Sequence, residues 1–123
     1  MGFELDNFKD AVDYCKIWIG GHLTSILSEE ENKLVYNMVH NHEGEDGRNY
    51  AYIGLTSLNG IIGKYYWVDG SPLNYTNWKK GEPDHPDKRK CVFMEIKSGE
   101  WVSENCITER APPVCKRLDP VAS

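Results

Sequence analysis

Apolar residues recur with helical spacing twice in the first third of the chain. The first segment follows the i, i+3, i+4, i+7 pattern at Phe8, Ala11, Val12 and Cys15. Asp6 or Asn7 is placed to cap this helix, and the pair Gly20-Gly21 ends it. The pattern therefore predicts one short amphipathic helix near the start of the chain.

A second helix is predicted to open at Ser28, after a short strand over residues 22–27. Ser28 and Glu31 have the spacing of a capping box, and acidic residues in the first turn favour the helix dipole. The predicted buried stripe of this helix consists of Leu34, Val35 and Met38.

Strand patterns dominate the rest of the chain. They are predicted over residues 50–55, 65–68 and 91–96, from Trp101 onward, and over residues 114–116. The polar stretch 41–49 is predicted to be an exposed turn. Residues 71–90 are rich in Pro, Gly, Asn, Asp and Lys, and a loop of this length usually carries function. Two early helices followed by antiparallel strands predict an α+β domain.

Composition narrows the functional class. The 123 residues are the length of one compact domain, and 40% of them are hydrophobic, which is enough for a core. A formal charge of -5 argues against a general nucleic-acid binder. No apolar run approaches the roughly 20 residues of a transmembrane segment. No G-x-S-x-G motif, P-loop or nucleophile–base pair is present, so we do not expect an enzyme.

The cysteines predict disulfides and an extracellular setting. Cys15, Cys91, Cys106 and Cys115 form an even set without a C-x-x-C pair, which favours disulfides over zinc. Three connectivities are open. One is physically attractive, because Cys91 and Cys106 flank a predicted hairpin and Cys15 would then join Cys115. A fully paired set leaves no thiol for an intermolecular bridge, so we expect a monomer or a non-covalent dimer.

Several dispersed motifs, taken together, resemble the C-type lectin domain. They are His22-Leu23-Thr24-Ser25-Ile26, Tyr52-Ile53-Gly54-Leu55, Trp67-Val68-Asp69-Gly70, Tyr75-Thr76-Asn77-Trp78 and Gly81-Glu82-Pro83-Asp84. The resemblance runs over residues 3–117, and residues 118–123 are expected to be a tail or linker. It implies the pairs Cys15–Cys115 and Cys91–Cys106. It also implies a double-loop fold whose long loop, residues 56–90, carries the binding site.

The resemblance also implies a mode of binding. In the family a calcium ion bridges sugar hydroxyls to a Glu/Gln-Pro-Asn/Asp tripeptide with a cis proline, to a Glu before the next cysteine, and to an Asn-Asp pair after the tryptophan. Here the tripeptide is Glu82-Pro83-Asp84. It mixes the EPN form associated with mannose and the QPD form associated with galactose, so it predicts no sugar class. Glu82 and Asp84 are the candidate metal ligands.

The remaining ligand positions are changed. Arg89 stands where the family has Glu, Lys90 precedes the cysteine, and Val102 and Ser103 replace the Asn-Asp pair. At an effective dielectric of about 20, Arg89 would repel a dication by several kcal/mol. These substitutions count against calcium as a cofactor, whereas the surviving tripeptide supports it.

Neighbouring residues offer alternatives to the usual ligand set. Asp87 and Glu104 are candidates to rebuild a metal site. No acid follows Thr56 within residues 57–61, so the auxiliary calcium site is not expected. Basic residues bracket the tripeptide at Lys79, Lys80, Lys88, Arg89 and Lys90. On one face they would bind sulfate or carboxylate; otherwise they are solvated charges that balance the acids.

The leading hypothesis is an extracellular or secreted recognition domain, or the ectodomain of a membrane protein. It would bind a glycan or glycoprotein ligand through the loop around Glu82 and Asp84, with Asp87, Arg89 and Ser103 as further ligand-binding candidates. The sequon Asn74-Tyr75-Thr76 fits such a setting. The alternative is a calcium-independent domain that binds protein. Lost calcium ligands favour the alternative, and the retained tripeptide favours the glycan.

Overall fold

A computed structural model describes residues 7–40, 50–107 and 111–117, and the elements there confirm an α+β domain. The predicted turn over 41–49 and the tail over 118–123 lie outside the described residues. The elements are α1 (Phe8–Tyr14) with a π-helical extension (Cys15–Ile19), β1 (Gly21–Leu23), α2 (Glu29–His40), β2 (Tyr50–Thr56), β3 (Tyr66–Trp67), β4 (Cys91–Glu95), β5 (Trp101–Glu104) and β6 (Cys115–Arg117). None of the helices in the described part of the chain is long and apolar enough to cross a membrane.

Both helices begin where their caps predict. Asn7 Oδ1 accepts a hydrogen bond from Asp10 N at 2.8 Å, which satisfies an N–H group of the first turn of α1. Before α2, Glu31 N donates to Ser28 Oγ at 3.1 Å. Glu31 Oε1 in turn accepts from Leu27 N at 2.8 Å, one residue earlier than in the usual capping box.

The predicted buried stripe of α2 is wrong at two of its three positions. Leu34 and Met38 are 69% and 49% exposed, whereas Asn32, Val35 and Val39 are buried. A buried asparagine is tolerated here because both ends of its amide are satisfied. Its Nδ2 donates to the carbonyl of residue 99 at 3.1 Å, and its Oδ1 accepts from the indole of residue 101 at 2.8 Å. These bonds set the rotation of the helix, and a pattern of apolar residues alone misses them.

Two antiparallel sheets connect the elements. The larger has the strand order β3-β2-β4-β5, and the smaller pairs β1 with β6. Two predicted strands are shorter than expected. The strand predicted over 22–27 ends at Leu23, because its partner β6 supplies only three residues. The strand predicted over 65–68 contains only Tyr66 and Trp67.

The larger sheet has a helix on each face. Val35 and Val39 of α2 pack in one cluster of buried side chains with Val92 and Met94 of β4. The other face joins α1 through a second cluster, whose members include Phe8, Ala11, Phe93 and Val102. Alternate residues of β4 and β5 therefore point into opposite clusters, as a strand buried on both faces requires.

One disulfide joins the two ends of the domain and the other crosses the β4–β5 hairpin. Cys15 joins Cys115 and Cys91 joins Cys106, which confirms the pairing that the resemblance implied. The first bridge closes a sequence separation of 100 residues and the second closes 15. On loop-closure entropy these are worth about 4.7 and about 3 kcal/mol of stability.

Candidate functional site

The long loop between β2 and β4 is anchored at its base. The carbonyl of Lys90 accepts hydrogen bonds from Thr56 Oγ1 at 2.8 Å and from Ser57 N at 2.9 Å, which closes the two ends of the loop on each other. Farther along, Lys79 N donates to the carbonyl of Trp101 at 2.9 Å, at the start of β5. The segment that carries the tripeptide is therefore held against a rigid strand.

Glu82 is the most heavily hydrogen-bonded carboxylate of the site. The Glu82-Pro83 peptide bond is cis. Glu82 Oε1 accepts from Ser103 Oγ at 2.7 Å, from Ser103 N at 2.9 Å and from Asp84 N at 3.2 Å. Ser103 is fully buried, and its Oγ also accepts from Asp84 N at 2.9 Å. Donors of the chain itself therefore already occupy this oxygen.

Asp84 contacts two side chains of its own loop, Arg89 and His85. Its Oδ2 lies 3.4 Å from Arg89 Nη1 and its Oδ1 lies 2.9 Å from His85 Nδ1. A tight turn produces this arrangement: His85 has a φ of 49°, and its carbonyl accepts from the N–H groups of Lys88 and Arg89. The turn brings Arg89 back over Asp84, and about half of the Asp84 side chain stays exposed.

Tyr65 forms one wall of the site. Its hydroxyl donates to the carbonyl of Arg89 at 3.2 Å, and its ring lies 5.4 Å from that of Trp78. Burial, and then the negative charge of Glu82, raise the pKa of the Tyr65 phenol. The phenol therefore stays protonated at neutral pH and remains a hydrogen-bond donor.

Four of the five predicted ligand-binding residues lie together, namely Glu82, Asp84, Arg89 and Ser103. Asp87 is exposed, and no hydrogen bond or ion pair joins it to the two carboxylates within the described residues. Glu104 lies opposite Cys91 in the β4–β5 ladder.

The bracketing basic residues are partly committed elsewhere. Lys79 pairs with Glu95 at 2.8 Å, and this hydrogen bond lowers the pKa of Glu95 and raises that of Lys79. Arg89 pairs with Asp84. Lys80 and Lys88 are exposed. The five basic residues therefore do not form one continuous anion-binding face through these contacts.

The residues present do not fit the calcium ion that the family pattern implies. Calcium prefers six to eight oxygen ligands. Here one oxygen of Glu82 accepts three hydrogen bonds, and the positive charge of Arg89 lies against Asp84. Val102, at the position of a family ligand, packs in the second core cluster and has no side-chain oxygen. The contacts of the two carboxylates are therefore contacts with the chain's own groups.

The structure also contains a polar cavity beside α2 that the sequence does not predict. A cavity of about 270 Å³ lies between α2, the long loop and the β4–β5 turn, and its walls include Tyr36, Tyr75 and Asn77. In the sequence, Tyr75 and Asn77 stand out only as part of the motif Tyr75-Thr76-Asn77-Trp78. No sequence signal was available, because the walls come from segments that are distant along the chain.

Comparison with known proteins identifies close structural relatives. The Lectin C-type domain model matches residues 4–117. The galactose-specific lectin nattectin of Thalassophryne nattereri is 33% identical over 102 residues, which cover 80% of this chain. The chain spans only 61% of the length of nattectin.

Solved structures show the same likeness. The cow C-type carbohydrate-recognition domain of CD23 is 32% identical with a TM-score of 0.79, and the match covers 96% of this chain and 84% of that one. The carbohydrate-recognition domain of the mouse scavenger receptor C-type lectin is 29% identical with a TM-score of 0.78. That match covers 97% of this chain and 87% of the mouse domain.

Proposed function

This chain belongs to the C-type lectin domain family, and we propose that it is an extracellular recognition module that binds carbohydrate without a calcium bridge. The binding surface is the long loop around Glu82-Pro83-Asp84. One observation carries the proposal: Ser103 donates a hydrogen bond to Glu82, and the positive charge of Arg89 lies beside Asp84 where a metal would otherwise neutralise it.

The exposed part of the site has the groups that sugar hydroxyls need. A hydroxyl both donates and accepts a hydrogen bond. Asp84 offers a carboxylate acceptor, and Arg89 and His85 beside it offer donors. Both side chains are partly exposed and their contact is long at 3.4 Å, so a pair of vicinal hydroxyls can form charge-assisted hydrogen bonds with Asp84 and Arg89.

The relatives support a carbohydrate ligand. Nattectin is named as galactose-specific, and the cow CD23 domain was crystallised in the presence of a GlcNAc2Man3 oligosaccharide. The tripeptide of this chain mixes two family forms, so we assign no sugar class. Two disulfides and family membership support an extracellular location.

The proposal is tested on a glycan array, probed once with calcium and once with a chelator. We expect the same glycans to bind equally in both buffers, because no metal takes part. Asp84→Ala should weaken binding about tenfold or more, since it removes an acceptor and leaves Arg89 unpaired. Asp13→Ala, on α1, is the matched control and should bind as the parent does. Binding that requires calcium would contradict the proposal.

A second candidate function is protein binding, favoured by an apolar surface on the same loop. Ile61 and Ile62 are 67% and 58% exposed, and Gly63 beside them lies close to Pro86 near the tripeptide. Exposed apolar side chains next to polar ones are typical of protein interfaces. Absence of any glycan signal in either buffer would favour this candidate over carbohydrate binding.

A further inference from the structure

The cavity between α2, the long loop and the β4–β5 turn has a fixed floor. The carbonyl of Gly99 accepts hydrogen bonds from Asn32 Nδ2 at 3.1 Å and from Asn77 Nδ2 at 2.9 Å, and so ties the helix to the loop. Gly99 has a φ of 78°, and a Cβ there would lie 2.9 Å from Tyr36 Cδ1. Only glycine allows this close approach, so α2 and the β4–β5 turn are held next to each other at the cavity.

Polar groups of the walls are left without partners. Asn77 uses its Nδ2 on Gly99, and its Oδ1 has no hydrogen-bond partner within the described parts of the chain. The same holds for the Tyr75 hydroxyl. The Tyr75 ring is fixed by an edge-to-face contact with Trp101, at a centroid distance of 5.8 Å. A rigid aromatic ring and an uncommitted amide oxygen therefore line one cavity.

The charges of the cavity select against anionic ligands. Glu29 and Lys33 face each other at 3.6 Å with both side chains about 70% exposed, so the pair is weak and its charges cancel. Burial, and then the charges of Glu29 and Glu30, raise the pKa of Tyr75. The field at the Tyr75 phenol is thus negative, which disfavours sulfate and carboxylate groups.

We propose that this cavity is a second binding site, for one neutral sugar ring. The partly exposed ring of Tyr75 suits the apolar face of a pyranose, while Asn77, Glu29 and Lys33 supply acceptors and a donor for its hydroxyls. At about 270 Å³ the cavity lies below the usual range of about 300–1,000 Å³ for small-molecule sites, so it holds one ring and not a chain. This site does not depend on the one around Glu82.

The test uses nuclear magnetic resonance of the folded, oxidised domain with methyl glycosides of glucose, galactose and mannose and with N-acetylglucosamine. Each sugar is added well past a Kd on the order of 1 mM, since a shallow site binds weakly. At least one sugar should shift the signals of the Asn77 side-chain amide, Ser98, Gly99 and Lys33 saturably. The shifts should be the same in calcium and in chelator.

Variants separate this cavity from the site around Glu82. Tyr75→Ala should lower the affinity of the cavity for the sugar about tenfold, because the stacking ring is lost. Because Tyr75 packs on Trp101, its loss could also disturb the fold, so a second variant is made at an exposed position. Lys33→Ala should lower the affinity for the sugar about threefold. Lys9→Ala on α1 is its matched control. Asp84→Ala should leave this affinity unchanged even where it abolishes binding on the array.

Three results would overturn the second site. One is the lack of any saturable shift at the cavity residues with all four sugars. Another is a set of shifts centred on residues 82–89, which would assign the sugar to the tripeptide loop. The third is that Lys33→Ala and Tyr75→Ala, each still folded, both bind the sugar with the affinity of the parent.

Discussion

Ser103 occupies the position at which the family pattern has a metal-ligating aspartate. Its hydroxyl and its backbone N–H both donate to Glu82 Oε1, and the whole residue is buried. These two hydrogen bonds hold the Glu82 side chain in place through groups of the chain itself. One substitution thus converts a ligand into a hydrogen-bond donor, and the tripeptide keeps its geometry through contacts within the chain.

Ser103→Ala tests this contact. The change removes a donor to Glu82 and an acceptor for Asp84 N, so the free energy of unfolding should fall by about 1–3 kcal/mol. The measurement is urea denaturation. Ser98→Ala is the control: its Oγ also donates to a carboxylate, Glu95 at 2.8 Å, but at an exposed position, and should cost about 0.5 kcal/mol or less. Equal losses in both variants would refute the importance of the buried contact.

For the residues of the site, the sequence predicts which side chains lie close together but not which hydrogen bonds and ion pairs they form. The register of the family motifs was sufficient to expect Glu82, Asp84, Arg89 and Ser103 in one place. The reversal of the chain at His85, which sets Arg89 against Asp84, depends on a positive φ that no motif encodes. Whether these four residues bind a ligand stays a prediction.

Among the elements, a polar cluster joins the segment after β1 to the turn after β3 and to β6. Asp69 Oδ2 accepts from Ser25 Oγ at 2.6 Å, and Lys116 Nζ donates to the same Ser25 Oγ at 2.8 Å. Lys116 also pairs with Glu31 of α2 at 3.0 Å. Burial alone would raise the pKa of Asp69, but hydrogen bonds from Ser25 and Ser71 and the charge of Lys116 lower it overall.

This cluster predicts a loss of stability in acid. Because the pKa of Asp69 is lower in the folded than in the unfolded chain, its contribution is full above the unfolded value of about 3.9 and disappears as the pH falls through the folded value. Thermal melting below pH ~4 should therefore depend less steeply on pH in Asp69→Asn than in the parent. An identical slope in the two proteins would show that Asp69 does not stabilise the fold through its charge.

The sequence predicts which segments are helices and which are strands, because helix caps and the alternation of apolar and polar residues are local signals. Asn7 and Ser28 mark the two helix starts as predicted. Strand ends follow less well, since β1 is only as long as its partner β6. The rotation of α2 depends on Asn32, whose hydrogen bonds reach residues 99 and 101 far along the chain. Contacts of that kind leave no local pattern.

For the whole molecule, the pairing of the cysteines was open from the spacing and was supplied by the family resemblance. The bridges Cys15–Cys115 and Cys91–Cys106 hold the chain ends and the β4–β5 hairpin, while the long loop is held by backbone hydrogen bonds to β5. These cross-links and hydrogen bonds hold the described parts of the fold with groups of the chain itself. We propose on these contacts that recognition by this domain proceeds without calcium.

The most direct test of that claim is the melting temperature of the domain in calcium and in chelator. A ligand of the folded state must raise the melting temperature as its concentration rises. Arg89→Glu with Ser103→Asp restores two family ligands and serves as the positive control, which should gain a calcium-dependent rise. Val102 is left unchanged because its side chain packs in the core. We expect no calcium-dependent shift for the parent, and a saturable rise of its melting temperature with calcium would contradict recognition without calcium.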